Sequence, residues 1–239
     1  MGRGGEPMNG AKKAGLILLL ALFTMSASFS AADAKTPEQR ITLATQLLQE
    51  MKGQSDVEGL TDLLKDCVGV AIFPNVTKAG FVFGAEFGEG LLLRRAPGST
   101  KWYGPSFLSV GGISLGLQIG VQSTALVLVI MDEAGLDALK KEHVNLGADV
   151  SIAAGPAGRR AGAATSSIYS YSMAKGAFAG VSLSGGTVDT DENANLAYWG
   201  KKYTPEEILQ KRATSDKIKP LINELNSLIA MAKSSNEKQ

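Results

Sequence analysis

Residues 102–131 contain no charged side chain, a stretch long enough to cross a bilayer as a helix. Its period excludes that reading. In GGISLGLQIGV, Gly112, Ser114, Gly116, Gln118 and Gly120 share one parity, and Ile113, Leu115, Leu117, Ile119 and Val121 share the other. That is the alternation of a β-strand and not the 3.6-residue period of a helix. One side of such a strand is apolar and the other nearly bare. A bare side lets a backbone, a ring or an acyl chain approach closely. Gly112, Ser114, Gly116, Gln118 and Gly120 are therefore expected to form the close-approach face of a sheet.

The flanking segments read as helices. Thr36-Pro37-Glu38-Gln39 is a capping box with proline in the first turn, followed by the apolar stripe Ile41, Ala44, Leu47, Leu48 and Met51. A second short helix carries Val57, Leu60, Leu63 and Leu64. After an apolar β-rich run at 68–73, the spacing predicts strands over 79–87, 90–95, 107–110, 112–121, 125–131, 146–154, 168–173 and 177–183. One helix interrupts them over 132–142. Helix returns after Asp189, with a second capping box at Thr204 to Glu207 and a final stripe of Ile218, Leu221, Ile222, Leu225, Leu228 and Ile229, before a polar tail from about residue 233. The expected fold is α+β: one domain over 35–239, a mainly antiparallel glycine-rich sheet curled into a barrel or sandwich, flanked by N- and C-terminal amphipathic helices.

Lys12 and Lys13 precede an apolar run over 16–23 and small residues ending in Ala32-Asp33-Ala34, the order of a secretory signal peptide cut after Ala34. The expectation is a leader over 1–34 and export to the periplasm or cell envelope, either soluble or peripherally membrane-associated. The only cysteine, Cys67, lies far from the cut, so no lipid anchor is expected. Arg3, Lys12, Lys13, Glu6 and Asp33 fall in the leader, and the remainder carries 21 basic and 21 acidic residues. A balanced chain lacks the basic field that nucleic acid rewards. Cys67, between Leu64 and Val70, reads as a small buried hydrophobe.

Catalytic patterns are weak. Gly112-Ile113-Ser114-Leu115-Gly116 matches the GxSxG of serine hydrolases, and Asp137 and His143 follow in their order. An elbow needs a strand, a sharp turn and a helix, whereas the alternation runs through Ser114. A lipid hydrolase using Ser114 is the least favoured reading. Residues 84–90 lack the lysine and hydroxyl of a phosphate loop. No His/Cys cluster suits a transition metal, and Asp189, Asp191 and Glu192 lack calcium-loop spacing. The chain is expected to be no enzyme and to need no cofactor or metal. Basic residues recur as Arg94-Arg95, Arg159-Arg160, Lys201-Lys202 and Lys211-Arg212, with Lys175 alone between two strands. Arg159 and Arg160, in the turn GPAGRR, are the first candidates for a phosphate-bearing head group; Lys175, Arg94 and Arg95 are the others.

GVAIFPNVTKAGFVFGAEFGEG, WYGPSFLSVGGISLGLQIG, LGADVSIAAGPAGR and IYSYSMAKGAFAGVSLSGG resemble, in order and spacing, the SYLF domain, also known from yeast actin-regulating proteins. The resemblance runs from about Thr36 to Lys211. It implies a lipid-binding module, with phosphoinositide and other anionic phospholipids bound by eukaryotic members and actin by some fungal ones. With a leader and without an SH3 or FYVE extension, the chain is similar to an exported bacterial member. The expected function is non-enzymatic binding of anionic phospholipid, or of a membrane surface, in the bacterial envelope; actin is not expected as a partner. The alternative is a structural or protein-interaction module of the envelope, docking a partner protein.

Overall fold

A computed structural model describes residues 34–54, 57–80, 83–115, 120–155, 166–174, 177–180 and 185–236. All of the expected leader except Ala34 lies outside these residues. Thr36 onward forms one compact unit. Helix α1 (Pro37–Lys52) opens on the expected capping box, Thr36 accepting from the Gln39 backbone while the Gln39 side chain accepts from Thr36 N–H. Its stripe of Ile41, Ala44, Leu47, Leu48 and Met51 is buried, as are Leu60, Leu63 and Leu64 of α2 (Val57–Asp66). The last long helix, α6 (Lys219–Asn236), buries Leu221, Leu225, Leu228 and Ile229. Gln49 donates to Glu224 at 3.1 Å and Lys52 to Ser227 at 2.6 Å, locking α1 beside α6.

These helices lie on one side of a single sheet of β1 (Gly69–Gly80), β2 (Phe83–Arg95), β3 (Trp102–Leu115), β4 (Gly120–Ile130), β5 (His143–Asn145), β6 (Ile152–Ala154), β7 (Ile168–Ala174), β8 (Ala177–Gly180) and β9 (Thr187–Thr190). The strand order is β5-β9-β3-β2-β1-β4-β7-β6, with β8 also on β7. Every pairing is antiparallel except β6 with β7. The β1–β2 hairpin is nested between β3 and β4. The fold is the expected α+β architecture of a curled, largely antiparallel sheet flanked by terminal helices.

Strand boundaries differ from expectation, and the short β5 and β9 were not expected. Residues 112–121 are two strands: β3 ends at Leu115 opposite Phe83, and β4 starts at Gly120 opposite Gly80. Residues 79–87 fall across the β1–β2 hairpin, and 146–154 contain only the short β6. Alternation alone cannot mark a reversal, because a link that preserves parity leaves the period unbroken on both sides.

Both sheet faces are covered. Val70, Ile72, Leu91, Leu93, Val127 and Val129 pack under α1, α2 and α6. Ala71, Phe73, Leu92, Leu126, Leu128 and Ile130 pack on the other side with Leu136 and Leu139 of α3 (Glu133–Leu139) and with Val144, Val188 and Leu209. That explains the uninterrupted apolar runs of β1, β2 and β4, since a strand buried on both sides has no polar parity. The β1–β2 register slips where Phe73 and Pro74 of β1 oppose Gly90 of β2.

Candidate functional site

Two further helices carry the surface of interest, α4 (Glu192–Trp199) and α5 (Pro205–Ile208). Asp191 Oδ1 caps α4 by accepting from Ala194 N–H at 3.0 Å, and Oδ2 accepts from Arg40 at 2.7 Å. The same Arg40 nitrogen donates to Glu89 at 2.7 Å, so one buried guanidinium joins α1, β2 and α4. Buried Asn195 accepts from Phe107 N–H at 2.7 Å and donates to Phe107 C=O at 3.2 Å, holding α4 to β3. The helix ends at Gly200, whose φ of 68° is the left-handed turn glycine adopts without strain.

That turn and the start of β3 assemble a set of cations on aromatic rings. Trp199 Nε1 donates to Pro105 C=O at 3.1 Å. Residues 211–213 run beside β3, Gly104 N–H donating to Lys211 C=O and Ala213 N–H to Trp102 C=O, each at 2.9 Å. Arg94 and Arg212 lie 5.1 and 5.5 Å from the Tyr103 ring centre. Lys211 lies 4.0 Å from that of Tyr203 and 6.0 Å from that of Trp199, and Lys201 is 5.4 Å from Tyr203. Trp199 and Tyr203 meet edge to face at 6.4 Å. Arg94, Lys201, Lys211 and Arg212 make no ion pair among the described residues, whereas neighbouring Lys202 and Lys217 are paired with Glu192 and Glu38.

The predicted head-group residues separate. Arg159, Arg160 and Lys175 lie outside the described residues. Arg94 belongs to the cation–aromatic surface. Arg95 is 3% exposed; it donates to Leu64 and Lys65 carbonyls at 2.7 and 2.6 Å and to Ser99 C=O at 2.8 Å, capping the C-terminus of α2. The basic pairs of the sequence thus converge in part: Arg94, Lys201, Lys211 and Arg212 come together from three of them. Tyr103, Trp199 and Tyr203 were missed, although basic pairs flanked by aromatics in WGKKY offered a signal.

The expected close-approach face also divides. Gly112 and Ser114 lie on β3, and Gly120 begins β4, with β2 and β1 between them in the sheet; Gly116 and Gln118 lie outside the described residues. The close approach at Gly112 is made within the chain: a Cβ there would stand 3.2 Å from Glu86 Oε1 and 3.4 Å from the Gly186 Cα. Glu86 in turn pairs with Lys78 at 2.6 Å.

The GxSxG serine sits in β3, paired with Gly84, and not on an elbow. Asp137 pairs with Lys140, and His143 with Asp189 at 2.5 Å. The Asp189 carboxylate, through its hydrogen bond and then its charge, raises the His143 pKa. Burial pushes the Cys67 thiol up to about 11, so it stays protonated. Among the described residues no group of His, Cys, Asp and Glu is suited to hold a metal.

Fold and surface together define an α+β domain with a cation–aromatic surface among its described residues. Its residues 111–228 match the family model Ysc84, described as "Las17-binding protein actin regulator". The chain is similar to LAS seventeen-binding protein 3 of Saccharomyces cerevisiae, 33% identical over 159 residues, covering 63% of this chain and 34% of that protein. It is 35% identical over 176 residues to an SH3 domain-containing protein of Schizosaccharomyces pombe, covering 70% and 40%. With SH3 domain-containing YSC84-like protein 1 of Homo sapiens it shares 31% over 147 residues, covering 59% and 42%. The chain spans about a third to two fifths of the length of these relatives.

These similarities correct the expected setting. The relatives are yeast and vertebrate proteins, not exported bacterial ones, which overturns the assignment to the periplasm and to a secreted bacterial branch. That assignment rested on Lys12, Lys13 and residues 16–23, outside both the described residues and the matched stretch. Phospholipid binding in a bacterial envelope falls with it. Actin was set aside on the expected leader and on the missing SH3 or FYVE extension, yet a chain spanning part of its relatives excludes nothing by what it lacks. The family description itself reads "actin regulator".

Proposed function

We propose that residues 35–239 form a non-enzymatic protein-interaction domain working in actin-regulating assemblies, as the names of its relatives suggest for them. The observation that carries this reading is the family match over residues 111–228, described as Las17-binding and actin-regulating. It extends from the middle of β3 into α6 and takes in Trp199, Lys201, Tyr203, Lys211 and Arg212. The build supports binding and not turnover: Ser114 lies in an extended strand, and His143 faces Asp189 at the opposite side of β9 from β3. Cosedimentation with filamentous actin tests the reading. Saturable pelleting of the chain, retained in Ser114→Ala, is expected. A chain that stays in the supernatant at every actin concentration overturns it.

A further inference from the structure

We infer that the surface formed by Arg94, Lys201, Lys211 and Arg212 on Tyr103, Trp199 and Tyr203 is a docking site for a short acidic segment of a partner protein, an inference that rests on the interaction-domain reading above. The four cations make no ion pair among the described residues, while cations on either side are neutralised within the chain. Their charged groups stand 4.0–5.5 Å from the nearest ring centres, Trp199 is tied to Pro105, and the backbone of 211–213 pairs with 102–104. Little side-chain freedom is therefore left to lose on binding. An unpaired cation held over a ring face keeps its donors for a carboxylate.

Charge and hydrophobicity select the occupant. The whole chain has a formal net charge of +1, so it carries no overall basic excess. A polyanion such as nucleic acid rewards a broad basic field, which a short run of carboxylates does not need. A membrane requires apolar insertion beside the charges, and the large exposed apolar side chains among the described residues are Phe87 and Leu196. Leu196 is 48% exposed, one helical turn before Trp199, which suits a single apolar residue within an acidic peptide. At the other end, Arg94 borders a cleft of about 360 Å³ that Glu133 and Glu206 also line. Glu206 is paired there with Lys140, and the segment runs from Lys201 to Arg94, where Glu133 bounds the acid-binding surface.

The probe is a fluorescein-labelled oligoglutamate peptide with one central leucine, followed by anisotropy with the full chain; the oligoglutamine counterpart is the control. Wild-type protein is expected to bind the acidic peptide and not the control, and raising NaCl from about 0.05 to 0.5 M weakens binding as the Debye length shrinks. The triple variant Lys201→Gln, Lys211→Gln, Arg212→Gln loses roughly tenfold in affinity. If its circular dichroism shows loss of fold, the exposed single change Lys201→Gln decides, with a smaller loss expected. No peptide binding, undiminished binding in these variants, or displacement of the peptide by anionic phospholipid vesicles or duplex DNA at equal charge overturns the inference. Lost peptide binding with intact actin pelleting removes this site alone and leaves the interaction domain standing. Retained peptide binding with no actin pelleting supports the site and removes actin.

Discussion

Gly90 of β2 lies under the ring of Phe73 so closely that a Cβ on it would stand 2.5 Å from the ring and 2.3 Å from the Ile72 carbonyl oxygen. This is the point where β1 takes an extra residue and the register of the central hairpin slips. Gly90→Ala must displace backbone and not merely a side chain, and overpacking of this kind costs about 2–3 kcal/mol. For a domain of this size the melting temperature falls by roughly 5–10 °C. Gly98 provides the contrast: its φ of 63° is left-handed, but nothing lies within 4 Å of the added methyl, so Gly98→Ala costs only about 1–2 kcal/mol of backbone strain. Thermal unfolding of both variants checks the order. An equal or larger drop for Gly98→Ala would show that the bulge relaxes around a methyl group.

Arg40 is the second packing test, because a single nitrogen bridges Glu89 and Asp191 and the guanidinium stands 5.9 Å from the centre of the Phe107 ring. Glu89 is 9% exposed and Asp191 21%. Arg40→Met removes the guanidinium nitrogen that the two carboxylates share, a loss of about 3 kcal/mol. Adding Glu89→Met recovers part of it, since an apolar pair relieves the stranded charge. Urea denaturation of the single and double variants measures the two values. A double variant no more stable than Arg40→Met would assign the loss to packing on Phe107 instead. Because Asp191 also caps α4, Arg40→Met is expected to loosen the helix that carries Trp199.

The helices of this fold were legible because their signals are local. Thr36 and Gln39, or Thr204 and Glu207, lie three residues apart and close their boxes within one turn. Most strands of the sheet were legible too, but the short β5 and β9 were not, nor were strand ends: Leu115 and Val121 share a parity, so alternation continues across a change of strand. The pairings that build the site are long-range. Asn195 grips the backbone at Phe107, Lys211 is held beside Gly104, and Arg95 turns inward to α2 while its neighbour Arg94 turns outward. Nothing in a run of two arginines distinguishes a helix cap from a surface cation. That difference is set by the sheet, where adjacent residues point to opposite faces.

His143 gives a pH test, since it is the only histidine in the chain and joins β5 to β9 through Asp189 at 2.5 Å. The hydrogen bond to that carboxylate, and after it the charge, raise the imidazole pKa in the folded protein above the ordinary 6.5. A raised folded pKa means that the folded state holds the proton more tightly than the unfolded chain does. The resulting stabilisation is fully present below the unfolded value, and it is lost as pH rises through the folded one. The melting temperature of wild type should therefore exceed that of His143→Gln below the ordinary imidazole range, with the gap closing as pH rises through the raised folded value. The imidazole NMR resonance should titrate with a midpoint above the ordinary value in wild type and return toward it in Asp189→Asn. A wild-type midpoint at or below the ordinary value would mean that the pair does not persist in solution. The antiparallel pairing of β5 with β9 would then hold that edge of the sheet through its backbone ladder and the buried Val144 and Val188.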